Sequence, residues 1–188
     1  MAPPPAAVDL YWLPLGAGGH SVKYNGRVFE SVAARLQHRP SCDLYHAALE
    51  ITLNSERWVI EMAPAWDANG SRRGAVLEGP VGARWAGRSR AFRYEIRRWR
   101  RGRIPDIAEA VDSPQRVSTE HAEAQRLLDL VPSVPALTWG RDELATGDMW
   151  NSNSVVAWLL IRSGIGTGAV HLPGSGRAPG WNAGLAAA

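Results

Sequence analysis

The chain reads as an α+β domain in which an antiparallel sheet packs against helices. Three observations predict this class. Two β-prone runs around a short polar break lie early in the chain, an alternating run lies in its middle, and helical apolar spacing returns near its end. A length of 188 residues favours one domain with a single core. That domain spans residues 1–188, with 1–7 and about 175–188 as irregular tails.

Each element has a local reason. Val8 to Leu15 is a short apolar segment suited to an edge strand, ended by Gly16-Ala17-Gly18-Gly19. Val28, Val32 and Leu36 recur at helical spacing and predict a helix from about Gly26 to Gln37, stopped before Pro40. Asp43 to Leu53 and Arg57 to Ala63, parted by Asn54-Ser55, predict a hairpin. Gly70 to Gly87 is glycine-rich and reads as a long excursion. Ser89 to Arg101 alternates Phe92, Tyr94 and Ile96 with arginines, which predicts a strand with one solvated arginine face. Ser113-Pro114 and Ser118-Thr119 open a helix running to about Leu130, with Glu120 and Glu123 in the first turn. A last helix begins near Ser152 and ends at Ser163-Gly164; the chain from Gly166 onward reads as irregular.

Composition narrows the function classes. Hydrophobic residues make up 45% of the chain, which argues against wholesale disorder. The longest apolar stretch, Val155 to Ile161, is far short of the roughly 18 residues that cross a bilayer. The first residues lack the basic and apolar regions of a secretory signal, and the one cysteine, Cys42, forms no internal disulfide; both point to the cytoplasm. His20, His38, His121 and His171 lack ligand-like spacing, so neither a metal nor a cofactor is expected. Arginines crowd between Arg72 and Arg103, where the only acids are Glu78 and Glu95. Pairing with acids elsewhere is the plainer reading. An anionic partner at Arg84 to Arg103, with Trp85, Phe92, Tyr94 and Trp99 interleaved, is the sharper one.

Three places carry chemistry: His46 in Tyr45-His46-Ala47-Ala48-Leu49, Glu61 in Val59-Ile60-Glu61, and Ser152 in Trp150-Asn151-Ser152-Asn153-Ser154-Val155. If Asn54-Ser55 is a two-residue turn, Leu53 pairs with Glu56, His46 lies opposite Ala63, and Glu61 lies opposite Ala48, diagonal to His46 on the same face. One extra residue in the turn would throw Glu61 to the other face. A carboxylate on one imidazole nitrogen leaves the other as a base. Ser152 stands where a helix N-terminus offers free N–H groups to a developing negative charge. Asn151, Ser152, Asn153 and Ser154 are all capping residue types, so simple capping remains open.

Taken together, these segments resemble the circularly permuted NlpC/P60 branch of the papain-like hydrolases. That branch includes the YiiX-like proteins, the lecithin:retinol acyltransferase relatives and the PPPDE peptidases. There a strand histidine comes first, a polar partner follows on the next strand, and a cysteine opens a late helix, often as Asn-Cys-x-x-Phe. Asn151-Ser152-Asn153-Ser154-Val155 resembles that motif with serine in place of cysteine. The resemblance covers about Asp43 to Ala63 and Trp150 to Ser163. It implies a papain-like hydrolase or acyltransferase of an amide, peptide or ester bond, with Ser152 as nucleophile, His46 as base and Glu61 as its orienter. The Ser152 N–H with Asn151 and Asn153 would support the oxyanion, and Trp150 and Tyr45 would line the cleft. A peptide, amide or acyl compound is the implied substrate. A serine hydroxyl, unlike a thiol, must lose its proton during attack. A binding module that has lost catalysis is therefore the alternative.

Overall fold

The computed structural model describes residues 5–15, 42–65 and 74–188. The helix expected between Gly26 and Gln37, together with His20 and His38, lies outside the described residues. Six strands form one antiparallel sheet: β1 (Ala6–Pro14), β2 (Tyr45–Leu53), β3 (Glu56–Pro64), β4 (Ala75–Pro80), β5 (Arg93–Arg100) and β6 (Val111–Ser118), in the order β4-β5-β3-β2-β1-β6. Three α-helices follow: α1 (His121–Leu130), α2 (Ser152–Ser163) and α3 (Trp181–Ala187).

β1 is an interior strand, not the expected edge, because β2 and β6 pair with its two sides. Its residues are buried on both faces: Val8, Leu10 and Trp12 join the main core, while Tyr11 and Leu13 join a smaller cluster with Ala48, Val59 and Ile104. The hairpin turn falls at Asn54 and Ser55, both at positive φ (52° and 65°), which matches the twist of the flanking strands. Leu53 pairs with Glu56, as the sequence predicts.

Besides β1, four elements differ from their sequence reading. β4 pairs with β5 inside the stretch read as a glycine-rich excursion. Ser113 to Ser118 is strand, not helix; β6 is an edge, where Pro114 costs no interior ladder bond. The helix starts later because Ser118 Oγ accepts from Glu120 N–H (3.0 Å) and donates to Glu123 (2.5 Å), turning the chain there. β5 has no solvated arginine face: Arg97 is 2% exposed and Glu95 1%, while Tyr94 and Ile96 face the main core. Finally, the C-terminal region carries α3 in place of an irregular tail. Gly184 of α3 lies so close to Ser154 and Ala157 that a Cβ would stand 2.2 Å from the Ser154 carbonyl oxygen.

α2 holds the layers together. Val155, Val156, Ala157, Trp158, Leu159 and Leu160 are all buried, since the sheet, α1 and α3 surround the helix. Each large apolar side chain there contributes about 1.5–3 kcal/mol. Gly164 at φ 91° closes the helix in the left-handed conformation that glycine adopts freely.

Candidate functional site

The site lies where β2 and β3 part. Their ladder runs from Leu53–Glu56 to Leu49–Ile60 and stops. β3 continues along β5, pairing Glu61 with Arg97 and Ala63 with Glu95, while β2 continues along β1 as far as Tyr45–Pro14. The expected pairing of His46 with Ala63 and of Ala48 with Glu61 is therefore not made. The edge of β2 that this opens is filled from the C-terminal half of the chain. Tyr45 N–H donates to the Arg177 carbonyl and Arg177 N–H to the Asp43 carbonyl, both at 2.9 Å. Next to them the Asn153 carboxamide takes the role of a strand. Its Nδ2 donates to Tyr45 O (2.9 Å) and its Oδ1 accepts from Ala47 N–H (2.7 Å), on the two sides of His46.

The mouth of α2 is fixed around that contact. Asn151 Oδ1 caps the Asn153 and Ser154 N–H groups at 2.9 and 3.4 Å, and Ser154 Oγ accepts from Asn151 N–H at 3.0 Å, a reciprocal capping box. Asn151 Nδ2 and Asn153 Nδ2 both donate to the Pro179 carbonyl at 2.8 Å, and Ser154 Oγ donates to the Gly180 carbonyl at 2.7 Å. Gly180, at φ 91°, passes so close that a Cβ would sit 2.3 Å from Asn151 Oδ1. Asn153 thus spends both Nδ2 hydrogens on the Tyr45 and Pro179 carbonyls and has none left for the oxyanion role expected of it, while Asn151 spends one of its two on Pro179. Ser152, between them, is half-buried, and its N–H and Oγ have no partner among the described residues.

His46 is half-buried on the face of β2 shared with Ala48 and Glu50, opposite to the face that carries Ala47 and Leu49 beneath α2. Burial lowers its pKa from 6.5 to about 4, against the opposing pull of Asp106. The ring is therefore neutral at pH 7. Glu61 shares this face, as the alternation requires, but it does not orient His46. Arg97 Nη1 binds its Oε1 at 2.8 Å, and Arg97 also binds Glu95. Among the described residues no hydrogen bond joins His46 to Ser152 or to Glu61. The structure therefore bonds Asn153, the residue after Ser152, to the backbone of the strand segment that bears His46. It leaves the His46 side chain on the face of β2 away from α2, and draws Glu61 to β5.

Two residues expected in a cleft are core residues. Trp150 is 1% exposed and stands in the main core with Tyr94, and Tyr45 is buried there against Gly176. Their apolar bulk decides this, since both flank elements that the helix covers. A cavity of about 330 Å³ beside the Pro179–Gly180 segment is lined by Trp12, Asp148, Arg177, Pro179, Trp181 and Asn182 among others; neither Ser152 nor His46 lines it. Among the described residues no three of His, Cys, Asp and Glu gather as metal ligands.

Sequence reasoning missed Asp106, Arg97 and the bridging role of Asn153. Asp106 sits in the loop after β5 at φ 55°, and nothing in its spacing ties it to His46. Arg97 was one arginine among many. Asn153 carried a signal in its place, two residues past the cap, where a polar side chain in an apolar helix needs a partner.

Compared with known proteins, the chain matches no family model, no curated protein and no solved structure. The site's meaning rests on its own chemistry: a serine at a helix N-terminus, tethered through its neighbour to the backbone on either side of a neutral histidine.

Proposed function

We propose that this chain is a papain-like hydrolase or acyltransferase of amide, peptide or ester bonds, with Ser152 as nucleophile and His46 as base. The observation that carries the reading is the Asn153 bridge, which ties the residue after Ser152 to the backbone on both sides of His46 at 2.7 and 2.9 Å. Ser152 Oγ attacks the carbonyl carbon while its proton passes to the neutral imidazole. The oxyanion forms against the Ser152 N–H and the positive end of α2. The imidazolium then returns its proton to the leaving amine or alcohol, and water or a second acceptor takes the acyl group from Ser152. A base with a pKa of about 4 is deprotonated above pH 5 yet weak, so turnover is slow and its acylation rate is flat from pH 5 upward.

A second reading has its own observation. Glu61, held by Arg97, leaves His46 without the carboxylate orienter of a full triad, which favours a module of the same fold that binds a peptide or acyl group without cleaving it.

The two readings part in intact-mass analysis after exposure to a fluorophosphonate. The hydrolase reading expects a single adduct on the wild type that Ser152→Ala and His46→Ala both abolish. A folded wild type that takes up no adduct contradicts it and leaves the binding module.

A further inference from the structure

The structure divides the arginine cluster in two. Within β5, beyond its first residue, the arginines serve the fold: Arg97 lies between Glu61 and Glu95, Arg98 donates to the Leu128 carbonyl at 2.9 Å, and Arg98 and Arg100 both stand over the Trp58 ring at 5.9 Å. Before β5 the chain makes two short 3-10 turns, Arg84–Arg88 and Arg90–Phe92, that bury none of their residues. Trp85 is 77% exposed there and Phe92 53%, the two most exposed large hydrophobic side chains among the described residues. Beside them lies a cavity of about 340 Å³ lined by Arg84, Arg88 and Arg93 together with Glu78, Gly79 and Pro80. Arg84 is paired with Glu143 and Arg93 with Glu78, whereas Arg88 and Arg90 have no carboxylate partner among the described residues.

We infer that this knuckle docks on a bilayer carrying anionic phospholipids. Trp85 and Phe92 enter the interfacial layer, and a lipid phosphate is received by the arginine-lined cavity. A tryptophan with a polar edge and an apolar body suits the depth of the headgroups. Arginines around it add attraction to an anionic surface, and the guanidinium fork matches phosphate oxygens. Two rings projecting from tight turns, outside any groove, fit insertion better than they fit a strand of nucleic acid, whose backbone needs a cationic groove along which bases stack. This surface is separate from Ser152 and His46 and does not depend on their chemistry.

The test is sedimentation of the full chain with vesicles of phosphatidylcholine alone and of phosphatidylcholine mixed with phosphatidylglycerol. Binding is expected to the mixed vesicles only, weakening as salt is raised. Arg88→Ala should lower the affinity roughly fivefold, the worth of one arginine at an anionic surface. Trp85→Ala should weaken it at least as much, and Leu172→Ala, at a residue that lines the separate cavity beside Pro179, should leave it unchanged. Circular dichroism confirms that each variant is folded, and Ser152→Ala should bind vesicles as the wild type does. The inference is overturned if folded wild type ignores both vesicles, or if the Trp85 and Arg88 variants bind as the wild type does. It is equally overturned if those variants lose binding to a single-stranded oligonucleotide while vesicles remain unbound.

Discussion

The two faces of the sheet are built from different chemistry. On the face beneath the helices stand Val8, Leu10, Trp12, Tyr45, Ala47, Leu49, Ile51, Ile60, Tyr94 and Ile96, which carry no charge at neutral pH. On the other face stand Asp9, His46, Glu50, Glu61, Glu95 and Arg97, around a small apolar cluster of Tyr11, Leu13, Ala48, Val59 and Ile104. The first face is a packing surface, where stability scales with area buried. The second is one where groups must be paired or neutral, since an uncompensated charge is costly when removed from water. Ser152 opens a helix packed on the first face, and the base proposed for it stands on the second. At the break in the β2–β3 ladder, Asn153 bonds the β2 backbone on both sides of His46.

That contrast is broken most severely at Arg97. Arg97→Ala leaves Glu61 and Glu95 without their shared cation, and urea unfolding should show a loss of about 3–5 kcal/mol. A loss below about 1 kcal/mol would mean that the second face tolerates charge as a surface does. Next comes the bridge. Asn153→Ala removes the bonds to Tyr45 and Ala47 and leaves two buried backbone groups unsatisfied, at a cost of about 2–3 kcal/mol by the same measurement.

The histidine sharpens the comparison through pH. His46 has a folded pKa of about 4 against 6.5 when unconstrained, so the unfolded chain takes up the proton first. Its contribution is present above pH 6.5 and is lost as pH falls from about 6.5 to about 4, by about 2–3 kcal/mol. The difference between wild type and His46→Gln, followed by thermal melts across that window, should shrink as the pH falls. A constant difference would place His46 in contact with solvent. The smallest effect belongs to the exposed knuckle, where Trp85→Ala should change stability by less than about 0.5 kcal/mol whatever it does to vesicle binding.

Much of the fold was legible because short-range rules governed it. Asn54-Ser55 suits a two-residue turn, and the Leu53–Glu56 register that such a turn implies is the one formed. The apolar spacing of Val155, Val156, Leu159 and Leu160, between the capping residue types at Asn151–Ser154 and Gly164, bounded α2. What failed depended on distant partners. β1 was taken for an edge because nothing local announces β6, and Ser113 to Ser118 was assigned to a helix because Pro114 also suits a helix start. At the site, alternation placed Glu61 and His46 on one face correctly. It had no means of showing that β3 leaves β2 after Ile60 to follow β5, where Arg97 claims the carboxylate. Trp150 and Tyr45 were read as cleft residues from their place beside the motifs, whereas burial on the helix side decided their role.

The central claim, that Ser152 and His46 act on one another across the opened ladder, is tested most directly by giving Ser152 a titratable atom. In a Cys42→Ser background, Ser152→Cys is alkylated with iodoacetamide across a range of pH, with and without His46→Gln. The account predicts alkylation that is already fast at neutral pH when His46 is present, because the neutral imidazole takes the thiol proton, and that follows the thiol's own ionisation when His46 is replaced. The same pH dependence in both variants, centred at about 8.5, would contradict it.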